Sequence, residues 1–140
     1  IDENTMRMCR THRMMFMELA EALYNEGQKE KCLEVLDFAE QVLPGYNIPY
    51  DYTSATMAAY YYQLGEMDKA NAIMTKVADT CAEYLAWGVS LAKEQRTSSQ
   101  STLGHQMAVF GYVLQNLERY QQKELFNYYY DIYAQYAATR

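Results

Sequence analysis

Between Leu19 and Pro44 the chain sets two apolar stripes against each other across a single glycine. Phe16, Leu19, Ala20 and Leu23 form the first, and Cys32, Val35, Leu36, Ala39 and Leu43 the second. Each set has the three- and four-residue spacing that gathers side chains on one face of a helix. Gly27 stands where the first helix must stop, because a residue without Cβ enters the left-handed region at little cost, and Pro44 cannot continue the second helix. The pattern predicts a helical hairpin. Its first helix is expected from about Thr5 to Glu26, with Asp2, Asn4 or Thr5 as candidate N-caps.

One hairpin cannot bury both of its apolar faces, and helical-repeat proteins answer this by stacking copies. A second copy follows: MAAYYYQLGEMDKANAIMTKVA, from Met57, sets Gly65 under Gly27, Ala58 under Ala20, Tyr61 under Leu23, Ala70 under Cys32 and Met74 under Leu36. The shift from Gly27 to Gly65 is 38 residues. Between the copies, GYNIPYDYTS reads as a loop in which Tyr46 to Tyr50 lengthens the connection, with Asp51, Thr53 or Ser54 capping the next helix. Its three tyrosines are read as packing back onto the helix ends, or else as a contact surface. Past Gly65 the spacing runs through Ala70, Ile73, Val77, Cys81 and Leu85, predicting one long helix from about Met67 to Glu94, with Gly88 marking a bend or a close crossing. Arg96 to Thr102, RTSSQST, reads as an exposed loop, with Ser101 or Thr102 capping the helix after it. The last third is a degenerate third pair in which Phe110, Gly111 and Leu114 match the large-small-large series, while Lys123 and Tyr130 stand where small residues belong. Tyr128, Tyr129, Tyr130, Tyr133 and Tyr136 would cover a terminal face or form a seam to another subunit.

Leu19, Ala20, Leu23, Cys32, Leu36, Ala39 and Pro44 resemble the large and small series of the tetratricopeptide repeat, whose standard period is about 34 residues. Met57, Ala58, Tyr61, Ala70 and Met74 continue the resemblance, which is lost at Val77 and in the missing second proline. It implies an all-α fold of about six helices, antiparallel hairpins stacked as a short right-handed superhelix in one domain, 1–140, with units at about 5–44, 53–94 and 103–138. It also implies a groove lined by the first helix of each unit. The family's offsets fall on Met14, Met17, Glu21, Tyr24 and Asn25; on Tyr52, Ala55, Ala59, Tyr62 and Gln63; and on His105, Ala108, Tyr112, Gln115 and Asn116. That lining is neutral, aromatic and rich in amides. It lacks the Lys/Arg clamp by which some members hold a terminal carboxylate, and suits an extended peptide or a sugar.

Composition narrows the function classes. Half of the 140 residues are hydrophobic, enough for a core, while a net charge of -6 disfavours a nucleic-acid or anionic-membrane surface. No apolar run approaches the about 18 residues of a membrane span, and no signal segment opens the chain, so direct membrane insertion is not expected. Cys9, Cys32 and Cys81 read as buried thiols. Arg7, Arg10, His12 and Arg13 cluster on the first helix, as a solvated face or as a docking edge for chain preceding Ile1; that first residue is not a methionine, so the chain reads as a piece of a longer protein. The recurring Glu18, Glu21, Glu26, Glu30, Glu34 and Glu40 form a water-facing side. Cys9 and His12 have no second ligand pair at metal-binding spacing, and phosphate loop, nucleophile elbow and HExxH are missing. No catalytic, cofactor or metal site is expected within this chain.

A closer resemblance lies in TMRMCRTHRMMF, ALYNEGQKEKCLEVLDFAEQVLPGYNIPYDY and YLAWGVSLAKEQ, which look like the C-terminal region of a family of large bacterial multispanning membrane proteins. Those proteins resemble protein O-mannosyltransferases in their membrane part. The resemblance implies a soluble appendage on the periplasmic side of the inner membrane, positioning a polypeptide acceptor, with the membrane domain of the parent chain as a further partner and any catalytic residues upstream of Ile1. The alternatives are a freestanding tetratricopeptide adaptor for a peptide or protein, and a carbohydrate-binding helical domain.

Overall fold

The structure is a computed structural model that describes residues 2–45 and 47–138; Tyr46, part of the expected longer connection, lies outside them. Seven helices are found among the described residues: α1 Glu3–Asn25, α2 Lys29–Val42, α3 Tyr52–Gln63, α4 Met67–Ser90, α5 Lys93–Ser98, α6 Gln100–Arg119 and α7 Lys123–Ala138. They form two compact units, residues 1–73 and 74–140, whose boundary falls inside α4. The fold is all-α and built of helical hairpins, one helix richer than expected.

In the first unit, Asp2 caps α1 by accepting from the Thr5 backbone N–H at 2.8 Å. Gly27 closes it at φ +82°, with the N–H of Gly27 on the Tyr24 carbonyl and that of Gln28 on the Leu23 carbonyl, both at 2.9 Å. Gly65 repeats this arrangement 38 residues on at φ +83°: Gly65 donates to Tyr62, and Glu66 to Tyr61. These paired bonds satisfy carbonyls that a helix end would otherwise leave open. The two glycines are therefore equivalent hinges. Around them the small positions Ala20, Cys32, Ala58 and Ala70 are fully buried, which lets helix backbones approach closely. Asp51 caps α3 through a capping box with Ser54.

Two positions in this unit depart from the sequence pattern. The apolar spacing puts Leu19 on the buried stripe, yet it is 48% exposed, whereas Met57, its equivalent in α3, is 1% exposed. Helix α3 packs on both α1 and α2, and the outer face of the first hairpin has no such cover among the described residues. Arg13, assigned to a solvated or docking cluster, is 1% exposed and is a structural clamp. Its guanidinium donates to the carbonyls of Leu43 (2.9 Å), Ile48 (2.9 Å) and Pro49 (2.8 Å), and sits 5.3 Å from the centre of the Tyr50 ring. Tyr50 in turn donates to Glu40 and lies against Gly45, so this loop tyrosine packs inward as expected.

In the second unit, α6 and α7 form a third hairpin whose turn uses no glycine. Gln121 holds φ 60° there, donating to Glu118 while Gln122 donates to Leu117 at 2.8 Å, the same bond pair as at Gly27 and Gly65. Counted back from Gln121, the large-small-large positions are Val113, Leu114 and Leu117, three residues later than the Phe110, Gly111 and Leu114 read from the sequence. Phe110 meets Tyr129 and Tyr133 edge-on, at ring-centre distances of 6.2 and 5.4 Å. Tyr129 is buried and donates to Asp79 at 2.7 Å. The expected RTSSQST loop is instead helix: Arg96 to Ser98 complete α5 and Gln100 opens α6, so neither Ser101 nor Thr102 is the cap. The Arg96 guanidinium donates to the carbonyls of Val89 and Leu91, which ends α4 four residues earlier than expected and gives the following segment a polar anchor. Gly88 is the close crossing: a Cβ there would lie 2.5 Å from Leu103.

Candidate functional site

The sequence-based groove positions separate into exposed and buried groups. In the first unit, Met14, Glu21 and Asn25 on α1 are exposed and Met17 and Tyr24 half-buried; on α3, Tyr52 and Gln63 are exposed while Ala55 and Ala59 are buried. Tyr62 is only 2% exposed and its hydroxyl donates to the Asn71 Oδ1 at 2.5 Å, which makes it part of the core. Its neighbour Tyr60 takes the surface role. The Tyr60 ring lies 5.5 Å from that of Tyr24, its hydroxyl donates to Glu21 at 2.9 Å, and the Lys29 ammonium sits 5.8 Å from the Tyr24 ring centre. Tyr24, Tyr60 and Glu21 thus form an amphipathic patch across α1 and α3, with rings held in place by neighbours on two helices. Tyr60 escaped the sequence reading because its equivalent in the first hairpin is Ala22, which carries no aromatic signal.

Elsewhere in the first unit, Asp37 accepts from Tyr61 at 2.7 Å and from Lys69 at 3.1 Å. Burial, reinforced by the bond to Asp37, pushes the Tyr61 phenol well above its usual range. Tyr50 and Tyr129 move the same way, through burial first and then through Glu40 and Asp79. Burial also raises the Cys32 thiol and pushes that of Cys81 up to about 12. These five groups stay protonated at neutral pH, so none of them is poised as a thiolate or phenolate nucleophile. No grouping of three or more His, Cys, Asp or Glu suited to a metal occurs among the described residues.

In the second unit, His105, Ala108 and Gln115 are exposed and Tyr112 half-buried. Asn116 is 7% exposed and its amide donates to the Tyr112 carbonyl at 2.9 Å, within its own helix. With the turn at Gln121, the groove offsets of the first two hairpins correspond to Ala108, Gly111, Gln115, Glu118 and Arg119, so His105, Tyr112 and Asn116 leave the equivalent positions. The same unit contains a feature that no sequence motif announced, a cavity of about 250 Å³. Leu85, Gly88, Leu103 and Met107 line its apolar part, with Lys93 and Arg96 among its polar lining residues. Its lining joins segments read as one long helix and as a loop with Leu103 and Met107 of α6 and Tyr136 of α7, a grouping that arises only on folding. No helix among the described residues is long and apolar enough to cross a membrane. Compared with family models, with curated proteins and with solved structures, the chain finds no match.

Proposed function

We propose that this chain is an interaction module of tetratricopeptide type that holds a polypeptide, as the acceptor-positioning appendage of a glycosyltransferase-like membrane protein on the periplasmic side of the inner membrane. The observation that carries the binding role is the Tyr24–Tyr60 pair with Glu21, 2.9 Å from the Tyr60 hydroxyl, displayed across α1 and α3. Rigid rings with polar tips give contact area at small entropic cost, and the neighbouring carboxylate adds an acceptor for a peptide N–H. Link to the membrane enzyme rests on the resemblance of TMRMCRTHRMMF and ALYNEGQKEKCLEVLDFAEQVLPGYNIPYDY alone. A freestanding adaptor would use the same patch, and reading the gene upstream of Ile1 separates the two, since repeated apolar spans of about 20 residues belong only to the appendage.

The test of the binding role is a display library of extended peptides selected on the whole chain, with binders mapped by amide chemical shifts. Expected are peptides that perturb α1 and α3 and lose at least about tenfold in affinity with Tyr24→Ala or Tyr60→Ala, at unchanged melting temperature. Binders that ignore both substitutions, or variants that melt far lower without affecting binding, would overturn it. A parallel titration with oligosaccharides to about 10 mM addresses the sugar reading; saturation there, at this patch, would replace peptide by glycan as the ligand.

A further inference from the structure

We propose that the cavity of the second unit binds a small carboxylate amphiphile, a free monocarboxylic acid of about eight carbons, whose chain lies against Leu85, Leu103 and Met107 and whose carboxylate meets Lys93 and Arg96. Three observations converge on this ligand class. The first is size. At about 250 Å³ the cavity is smaller than the about 300 Å³ at which sites for drug-sized ligands begin, so it takes a short chain and excludes a two-tailed lipid. Two of its lining residues are in close contact: Gly88 meets the Leu103 side chain so tightly that a Cβ would fall 2.5 Å away, so the cavity is closed off between α4 and α6 at that point.

The second is charge. The chain as a whole is acidic, at -6, yet the cavity lining contains no Asp or Glu and two cations. A cation pair without a carboxylate among its lining neighbours is the arrangement that recognises an anion. The third is what those cations already do. One guanidinium nitrogen of Arg96, Nη2, donates to the carbonyls of Val89 at 3.0 Å and Leu91 at 3.2 Å. These bonds fix the planar group at the cavity wall and leave Nε and Nη1 as single donors beside its positive charge. Lys93 opens the short α5 and supplies a second charge to the lining. Apolar lining with two cations fits an amphiphile with one anionic end better than a neutral hydrophobe or an amine.

Octanoate is the probe, titrated into the whole chain with amide chemical shifts and the fluorescence of Trp87, which adjoins Gly88, as readouts. Expected is saturable binding at or below about 1 mM, with shifts centred on α5 and the facing ends of α4 and α6. Octylamine should bind at least about tenfold more weakly, and Lys93→Gln should weaken octanoate by about fivefold to tenfold while leaving the melting temperature unchanged. Val89→Phe, at an exposed lining position, should block the chain and abolish binding; Met107→Phe is a second blocking variant if Val89→Phe fails to fold. Equal binding of octylamine, indifference to Lys93→Gln, or shifts elsewhere in the chain would each overturn the proposal. So would absence of saturation to about 10 mM, or binding to phosphatidylglycerol vesicles without octanoate binding, which would make the site a lipid-surface contact.

Discussion

Arg13 offers the sharpest test of how the first unit is held together. It is buried, and its three hydrogen bonds reach carbonyls 30 to 36 residues away, at Leu43, Ile48 and Pro49. Arg13→Met keeps the length of the stem and removes every donor. Pro49 is exposed, so water can replace its lost bond. Leu43 and Ile48 are buried, and each orphaned carbonyl costs about 1–3 kcal/mol. Against this stands the relief of no longer burying a charge, whose desolvation also lowers the Arg13 pKa despite the opposing pull of Asp51 and Glu40. The opposing effects leave an expected net loss of about 3 kcal/mol, a large share of the about 5–15 kcal/mol that holds a domain. Arg13→Lys should recover little, because an ammonium is a point charge that cannot serve three carbonyls and lie along the Tyr50 ring at once.

The assay is urea unfolding followed by helical circular dichroism. With a slope of about 2 kcal/mol per molar, Arg13→Met should move the midpoint down by about 1.5 M. Hydrogen exchange supplies the local readout: the amides of Asn47 and Ile48, both bonded to the Pro44 carbonyl, should lose protection before those of α2. A loss below about 1 kcal/mol, or an Arg13→Lys variant as stable as the parent, would refute the clamp and return Arg13 to an ordinary helix position.

The hinges predict opposite responses to opposite substitutions. Gly65→Ala, with open space around the new Cβ but φ at +83°, should destabilise by about 1–2 kcal/mol from backbone strain alone, whereas Gln121→Gly at φ 60° should stabilise by about 0.5–1 kcal/mol; a Gly65→Ala variant as stable as the parent, or a destabilised Gln121→Gly variant, in chemical denaturation would show otherwise. Gly88→Ala should cost about 1–3 kcal/mol through its collision with the Leu103 methyl groups, and the double variant with Leu103→Ala should recover most of it; absence of coupling between the two would contradict the close crossing. The Cys81 thiol, pushed up from 9.0 to about 12 by burial, is protonated in the folded chain while its unfolded counterpart ionises. Its contribution to stability is therefore fully present below pH 9 and is lost as pH rises towards 12, a decline that Cys81→Ala should flatten in a series of melts, and thiol-reactive probes should label Cys81 far more slowly than half-buried Cys9 at pH 8.

The elements that could be read in advance are those whose cause is local. Gly27 and Gly65 announce their turns because glycine is the cheapest residue at positive φ, and Asp2 and Asp51 announce helix starts because a short acceptor satisfies an open N–H. Gln121 makes the same turn with a side chain, so its only trace is a bond pattern that needs coordinates, and every position read from the third hairpin was displaced by three residues. Three residues are close to one helical turn, which is why the misplaced set still fell near the right face.

Arg13 and the cavity fail for a different reason, since their meaning depends on partners distant in sequence. A pattern of polar and apolar residues assigns arginine to water; here the carbonyls of Leu43, Ile48 and Pro49, with the Tyr50 ring and the charges of Asp51 and Glu40, offset its burial. Likewise Leu19 and Met57 occupy the same place in equivalent helices and differ in exposure because α3 packs on a preceding hairpin and α1 shows none among the described residues. The same reasoning bears on function. Tyr62 matched a groove offset and is core, while Tyr60, matching none, reaches Glu21 and Tyr24. A family offset selects a face of a helix, and the burial and hydrogen-bond partner of each ring decide whether that face belongs to the core, as at Tyr62, or to the surface, as at Tyr60. The two proposed binding sites accordingly rest on three-dimensional arrangement, the rings braced from the side at Tyr24 and Tyr60 and the cavity where apolar side chains and cations meet without a carboxylate among the lining residues.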